Sequence, residues 1–181
     1  MTQTQHLPVP QQAAWEALND TELLRQCIPG CESIEPDGNN AYGLALTAAV
    51  GPVKARFKGR MTLEDIQAPD SYTIRFDGQG GAAGFGKGTA RVTLAPDGDG
   101  TLLSYVVDAH VGGKIAQVGS RLVDAAARKM AEAFFARLNA ALTEPEADGA
   151  DDEIKGEGDG ETADPDQPKR KRSWTAWISK S

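Results

Sequence analysis

The chain has 181 residues, 40% hydrophobic, 25% charged and 6% aromatic, with a formal net charge of −7; this size fits one globular domain with a remainder and excludes a large multidomain enzyme. No run approaches the roughly 18 continuous apolar residues that mark a membrane helix, and the opening Met1-Thr2-Gln3-Thr4-Gln5-His6 has neither the basic region nor the apolar core of a signal peptide, so a cytoplasmic location is expected. Cys27 and Cys31 lie far in sequence from the two histidines, His6 and His110, which speaks against a zinc site and for two free thiols in a reducing compartment.

Pro10 at a first helical turn, then Ala14, Trp15 and Leu18 on one face, predicts a short helix ending near Asn19-Asp20. Leu23, Leu24 and Cys27 repeat the period over residues 21–27, and Pro29-Gly30 stops it. From there the period changes to two. In residues 55–64 every even position is polar and nearly every odd one is apolar or small, the pattern of a half-buried strand. The same alternation occupies 72–77, 89–94 and, less cleanly, 101–111, with turns expected at Pro69-Asp70, Asp77-Gly78 and Pro96-Asp97-Gly98, so an antiparallel meander is the natural topology.

Ile115, Val118, Leu122, Ala126, Met130, Phe134, Leu138 and Leu142 follow helical spacing and predict one helix of about seven turns. One sheet with a single apolar face, two short helices and a long helix to cover the sheet make an α+β helix-grip arrangement, a curved antiparallel sheet wrapped around the C-terminal helix. Gly51, Gly59, Gly80, Gly84, Gly86, Gly88 and Gly112 fall in or beside the strands. Two readings stand: they serve bulges and curvature, or they leave a cavity under the helix.

The net charge is unevenly spread. Residues 1–142 carry 13 Lys and Arg against 15 Asp and Glu, residues 143–168 carry one base, Lys155, against 11 acids, and residues 169–181 carry five bases and no acid. The middle segment, almost without apolar residues, cannot bury enough surface to offset the entropy of ordering and reads as a disordered acidic linker. It would span about 28 Å as a flexible chain. In the last segment, Lys169, Arg170, Lys171 and Arg172 precede Trp174, Trp177 and Ile178 at i, i+3 and i+4. As a helix this puts an aromatic edge beside a cationic cluster, suited to the interface of an anionic membrane. Four cations contribute on the order of 4 kcal/mol there, enough for reversible binding. A linear motif docking on a protein, or the linker folding back on the tail, are the other readings.

Little in the body points to chemistry. Residues 81–87 satisfy GxxxxGK, but Gly88 replaces the Ser or Thr of a phosphate loop and a strand, not a helix, follows. Phe85, isolated among those glycines, is either a gate at the cavity mouth or an edge residue. Arg56, Lys58 and Arg60, with Arg75 and Arg91 on neighbouring strands, form either a basic docking patch or a solvated face; nucleic-acid binding would need aromatics on that face and a basic body. No Ser/His/Asp or Cys/His order suggests a catalytic set, and His110 would point outward. Tyr72 and Tyr105, if they face a cavity, would donate hydrogen bonds to a carbonyl ligand.

Four blocks carry a resemblance: Ile28-Pro29-Gly30-Cys31-Glu32; residues 50–59, Val-Gly-Pro-Val-Lys-Ala-Arg-Phe-Lys-Gly; Gly84-Phe85-Gly86-Lys87-Gly88; and residues 109–119, Ala-His-Val-Gly-Gly-Lys-Ile-Ala-Gln-Val-Gly. In this order they resemble the carbon monoxide dehydrogenase G-subunit family of the START-like, polyketide cyclase-like helix-grip superfamily. The resemblance implies a non-catalytic accessory protein of a molybdenum hydroxylase of the carbon monoxide dehydrogenase type, with a hydrophobic cavity able to hold a quinone (menaquinone or ubiquinone) and a role in bringing the enzyme to the inner face of the cytoplasmic membrane.

The expected organisation is therefore a helix-grip domain over 1–142, an acidic linker over 143–168 and a membrane-binding tail over 169–181. The expected cavity residues are Phe57, Met61, Ile74, Phe76, Phe85 and Tyr105 from the sheet side and Val118, Leu122, Met130 and Phe134 from the helix, with no catalytic and no metal site. A cyclase or dehydratase enzyme, common in the superfamily, and a membrane tether without a ligand remain as other readings.

Overall fold

The computed structural model describes residues 1–144. Within them the chain runs β1 (Thr2–Leu7), α1 (Gln11–Leu18), α2 (Thr21–Cys27), β2 (Cys31–Pro36), β3 (Ala41–Val50), β4 (Val53–Gln67), β5 (Ser71–Gln79), a 3-10 turn (Gly81–Ala83), β6 (Phe85–Asp97), β7 (Gly100–Gly112), α3 (Lys114–Gln117) and α4 (Ser120–Thr143). The seven strands form one antiparallel sheet in the order β1-β7-β6-β5-β4-β3-β2. The α+β helix-grip class read from the periodicities is the fold of the described residues. The acidic linker and basic-aromatic tail, apart from Thr143 and Glu144, lie outside them.

Three strands, one turn and one helix depart from the sequence reading. β1, β2 and β3 carry no polar/apolar alternation: β1 places Gln3 and Gln5 on the same side as Leu7, and β3 alternates large with small residues rather than apolar with polar. Asp77-Gly78 does not turn; it continues β5, with Gly78 paired across the sheet to Gly59 on one side and Gly86 on the other. The long helix is broken at Val118-Gly119, where Gly119 adopts φ 97, a left-handed value that helical continuation forbids.

The Gly59–Gly78–Gly86 ladder leaves a stripe without side chains on the concave face, which lets the sheet bend around the helix. Three phenylalanine rings lie over other glycines: Phe57 over Gly80 and Phe85 over Gly112, each so close that a Cβ would not fit, and Phe76 over Gly88, where the backbone of Asp108 and Ala109 leaves no room for one. The core gathers on one side of this stripe. Leu7, Leu103 and Leu138 are fully buried there with Leu18, Val92, Leu94 and Phe135. Asp20 caps α2 by accepting from the amides of Glu22 and Leu23. Gln11 of α1 donates to Asp70 Oδ1 at 2.8 Å and to the Leu94 carbonyl at 3.0 Å, tying that helix to the sheet.

Candidate functional site

Between the sheet, α1–α2 and the second half of α4 lies a cavity of about 270 Å³. Strand parity supplies its floor: Met61 and Leu63 of β4, Tyr72 and Ile74 of β5, Ala90 and Val92 of β6, Leu103 and Tyr105 of β7, and Tyr42 of β3. Phe134 and Phe135 of α4 form one wall, and Leu18, Leu24 and Ile28, with Asn19 and Thr21, form the other. Aromatic contacts fix the wall. Phe135 stacks on Tyr105 with centroids 5.6 Å apart, Phe134 meets Phe135 edge-on at 5.0 Å, and Trp15 meets Tyr72 edge-on at 5.3 Å.

The lining contains no Asp, Glu, His, Lys or Arg. Its polar atoms belong to Asn19, Thr21 and three tyrosines. Tyr105 donates to Gln3 Oε1 at 2.6 Å, whereas the hydroxyl of Tyr72 finds no partner among the described residues although the residue is only 5% exposed. Burial pushes the Tyr72 phenol far above its ordinary range, so it stays a neutral hydrogen-bond donor across physiological pH. Its hydroxyl is thus available to a cavity occupant that carries an acceptor.

Of the residues expected from sequence to line a cavity, the structure brings Met61, Ile74, Tyr105 and Phe134 together on it. Phe57 and Phe76 share the concave face but lie over glycines outside the enclosed space. Met130 is half-buried on α4, Val118 sits in the break before α4, and Leu122 stays 44% exposed; none of the three lines the cavity. Phe85 is placed on the opposite face of the sheet, since it pairs with Gln79 and Gly112 two residues from outward Lys87, so it is no gate to this cavity. Residues that sequence reasoning missed, chiefly Leu18, Leu24, Ile28 and Tyr42, come from elements whose position over the sheet no spacing encodes.

The other motifs resolve into structure. The GxxxxGK stretch is a 3-10 turn entering β6, with no helix N-terminus to receive an anion. On the convex face Arg56 pairs with Glu32 at 2.7 Å, Arg60 with Asp37 at 3.3 Å, and Arg75 with both oxygens of Glu64 at 2.9 and 3.1 Å, so three of the five cations of the stripe are neutralised in place, while Lys58 and Arg91 join no ion pair among the described residues. Cys27 and Cys31 are free thiols that burial raises further above the thiolate range, which disfavours nucleophilic roles. Among the described residues no cluster of three or more His, Cys, Asp or Glu is placed to hold a metal, and no helix is long and apolar enough to cross a membrane.

A family model described as the G subunit of carbon monoxide dehydrogenase, CoxG, matches residues 4–143. Among solved structures, a conserved protein from Geobacillus kaustophilus is similar at 29% identity and TM-score 0.74, over 78% of this chain and 93% of its own. Protein Ms6760 from Mycobacterium smegmatis is similar at 16% identity and TM-score 0.60 (78% and 89%), and the Zhui aromatase/cyclase from Streptomyces sp. R1128 at 13% and 0.56 (78% and 92%). The last two likenesses concern the fold alone. No curated protein matches.

Proposed function

The chain belongs to the CoxG family of carbon monoxide dehydrogenase G subunits, and from that membership and the cavity we propose that it is a non-catalytic accessory protein of a molybdenum hydroxylase, carrying a quinone between that enzyme and the respiratory membrane. The observation that carries the ligand reading is the hydroxyl of buried Tyr72, unpartnered among the described residues and facing a largely apolar cavity. A quinone head group suits it, being a flat apolar ring with carbonyl acceptors for a neutral phenol.

Size supports the same choice. An apolar cavity of about 150 Å³ takes a benzene ring, so about 270 Å³ suits a ring system and not a ring with a long chain as well. An isoprenoid tail would run outside the enclosed space, along the half-buried concave face where Phe57 and Phe76 lie. The basic-aromatic tail, Lys169 to Ile178, would hold the protein at the inner face of the cytoplasmic membrane while the acidic linker lets the body reach the enzyme. The cyclase-type reading, which the aromatase/cyclase likeness keeps in view, is disfavoured because the lining offers no carboxylate, imidazole or amine for proton transfer.

Titration of the full chain with menadione, a tail-less naphthoquinone, tests this through quenching of Trp15, read in a Trp174→Phe, Trp177→Phe background. Saturable one-site quenching is expected. A folded protein that shows none contradicts the carrier reading.

A further inference from the structure

We propose that the far end of the body, the tip of the β3–β4 hairpin with the first turn of α4, is a second membrane-docking surface whose partner is an anionic phospholipid bilayer; this rests on the reading of a carrier that visits the membrane. The hairpin projects past its neighbours. Pairing of β2 with β3 ends at Leu46, a last backbone bond joins Thr47 to Gly30, and pairing of β5 with β4 begins at Lys58, so residues 48–50 and 53–55 pair only with each other. A two-stranded ribbon of this kind is marginal in water by itself.

Its tip is apolar. Residues 47–53 contain no charge, and Val50, Pro52 and Val53 surround the turn at Gly51. The first turn of α4 meets it there, so closely that a Cβ on Gly51 would stand 3.2 Å from Leu122 Cδ1, yet Leu122 remains 44% exposed. The whole first half of α4, up to Phe134, contains no buried residue.

The unpaired charges beside this tip are cations. Lys54 follows the tip directly and Arg121 lies in the first turn of α4 beside Leu122, and neither joins an ion pair among the described residues, whereas Glu32, which accepts from Thr47 at the base of the tip, is taken up by Arg56. Further into the sheet Arg56, Arg60 and Arg75 are each paired; Lys58 and Arg91 are not, but neither stands beside the apolar tip. An apolar tip flanked by unpaired cations matches the acyl and headgroup layers of an anionic leaflet together. An acidic soluble protein would satisfy the cations and leave the valines and Leu122 in water.

The test uses the full chain with the tail disabled by Trp174→Ala, Trp177→Ala and glutamine at positions 169–172, co-sedimented with equimolar phosphatidylglycerol/phosphatidylcholine vesicles at low salt. The expected result is residual binding that falls about tenfold or more on adding Lys54→Glu and Arg121→Glu, two exposed changes remote from the core. A Pro52→Trp reporter in the same tail-disabled chain should shift to the blue on the vesicles and be quenched by brominated lipid. Residual binding that ignores the charge reversal, or no binding and no shift at all, overturns the docking surface. Menadione binding by the same proteins reports the carrier reading separately, so either can fail while the other stands.

Discussion

On the side of the sheet covered by α1 and α2, Leu7, Leu103 and Leu138 are fully buried and the aromatic rings of Trp15, Tyr72, Tyr105 and Phe135 touch in pairs. Beyond the Gly59–Gly78–Gly86 ladder the same sheet carries a projecting ribbon, Phe57 laid over Gly80, and a helix half with no buried residue. The first region holds a cavity because large rings fix its walls; the second stays open because the inner positions of the ribbon and of the first half of α4 are half-covered at most. A single apolar face is thus divided between a rigid receptor and an accessible surface, and the glycines mark the border.

The sharpest way to break that division is to truncate one leucine on each side. Leu138→Ala should destabilise the fold by about 2–5 kcal/mol, whereas exposed Leu122→Ala should stay within about 0.5 kcal/mol; urea denaturation compares them. Equal losses would mean that the far end is as packed as the near one.

Next in size is the effect on ligand. Removing one hydroxyl with Tyr72→Phe removes one hydrogen bond, net about 0.5–1.5 kcal/mol, so menadione affinity should fall roughly 3- to 10-fold with the fold intact. Because that phenol is held protonated, affinity should be flat between about pH 6 and pH 9.

A smaller effect appears in alkaline solution. The Tyr72 phenol is raised by burial, so below its ordinary value of about 10 folded and unfolded chains are both protonated and nothing changes. Above it the unfolded chain loses the proton first, and stability falls as pH rises. Cys27 and Cys31, raised by the same cause, add to this decline from somewhat lower pH. Tyr72→Phe should flatten the upper part of the fall in melting temperature. Smallest of all, Arg56→Ala should leave the melting temperature nearly unchanged, since its pair with Glu32 is exposed to water on both sides.

The legibility of the sequence follows the same border. β4, β5, β6 and β7 announce themselves by polar/apolar alternation because one of their faces is solvated, and α1 and α2 by spacing and by Pro10 and Pro29. β3 is hidden because three of its outward positions, Gly43, Ala45 and Ala49, are small rather than polar and only Thr47 carries a polar group. β1 is hidden because Gln3 faces inward to receive the Tyr105 hydroxyl, a tertiary contact over 100 residues away in sequence. The break before α4 is hidden because Val118 keeps the helical spacing while Gly119 abandons the helical backbone. In the site, parity alone identifies Met61, Ile74 and Tyr105, but whether a concave position is enclosed depends on which helix half packs on it. That is why Phe57, Phe76 and Leu122 separate from Phe134.

The most direct test of the carrier account is solvent extraction of the full chain, purified from a quinone-producing bacterium, with mass spectrometry of the extract. The account predicts a quinone in near-stoichiometric amount, depleted in the Tyr72→Phe variant. An extract without quinone from folded protein, unchanged after incubation with added quinone, would contradict it.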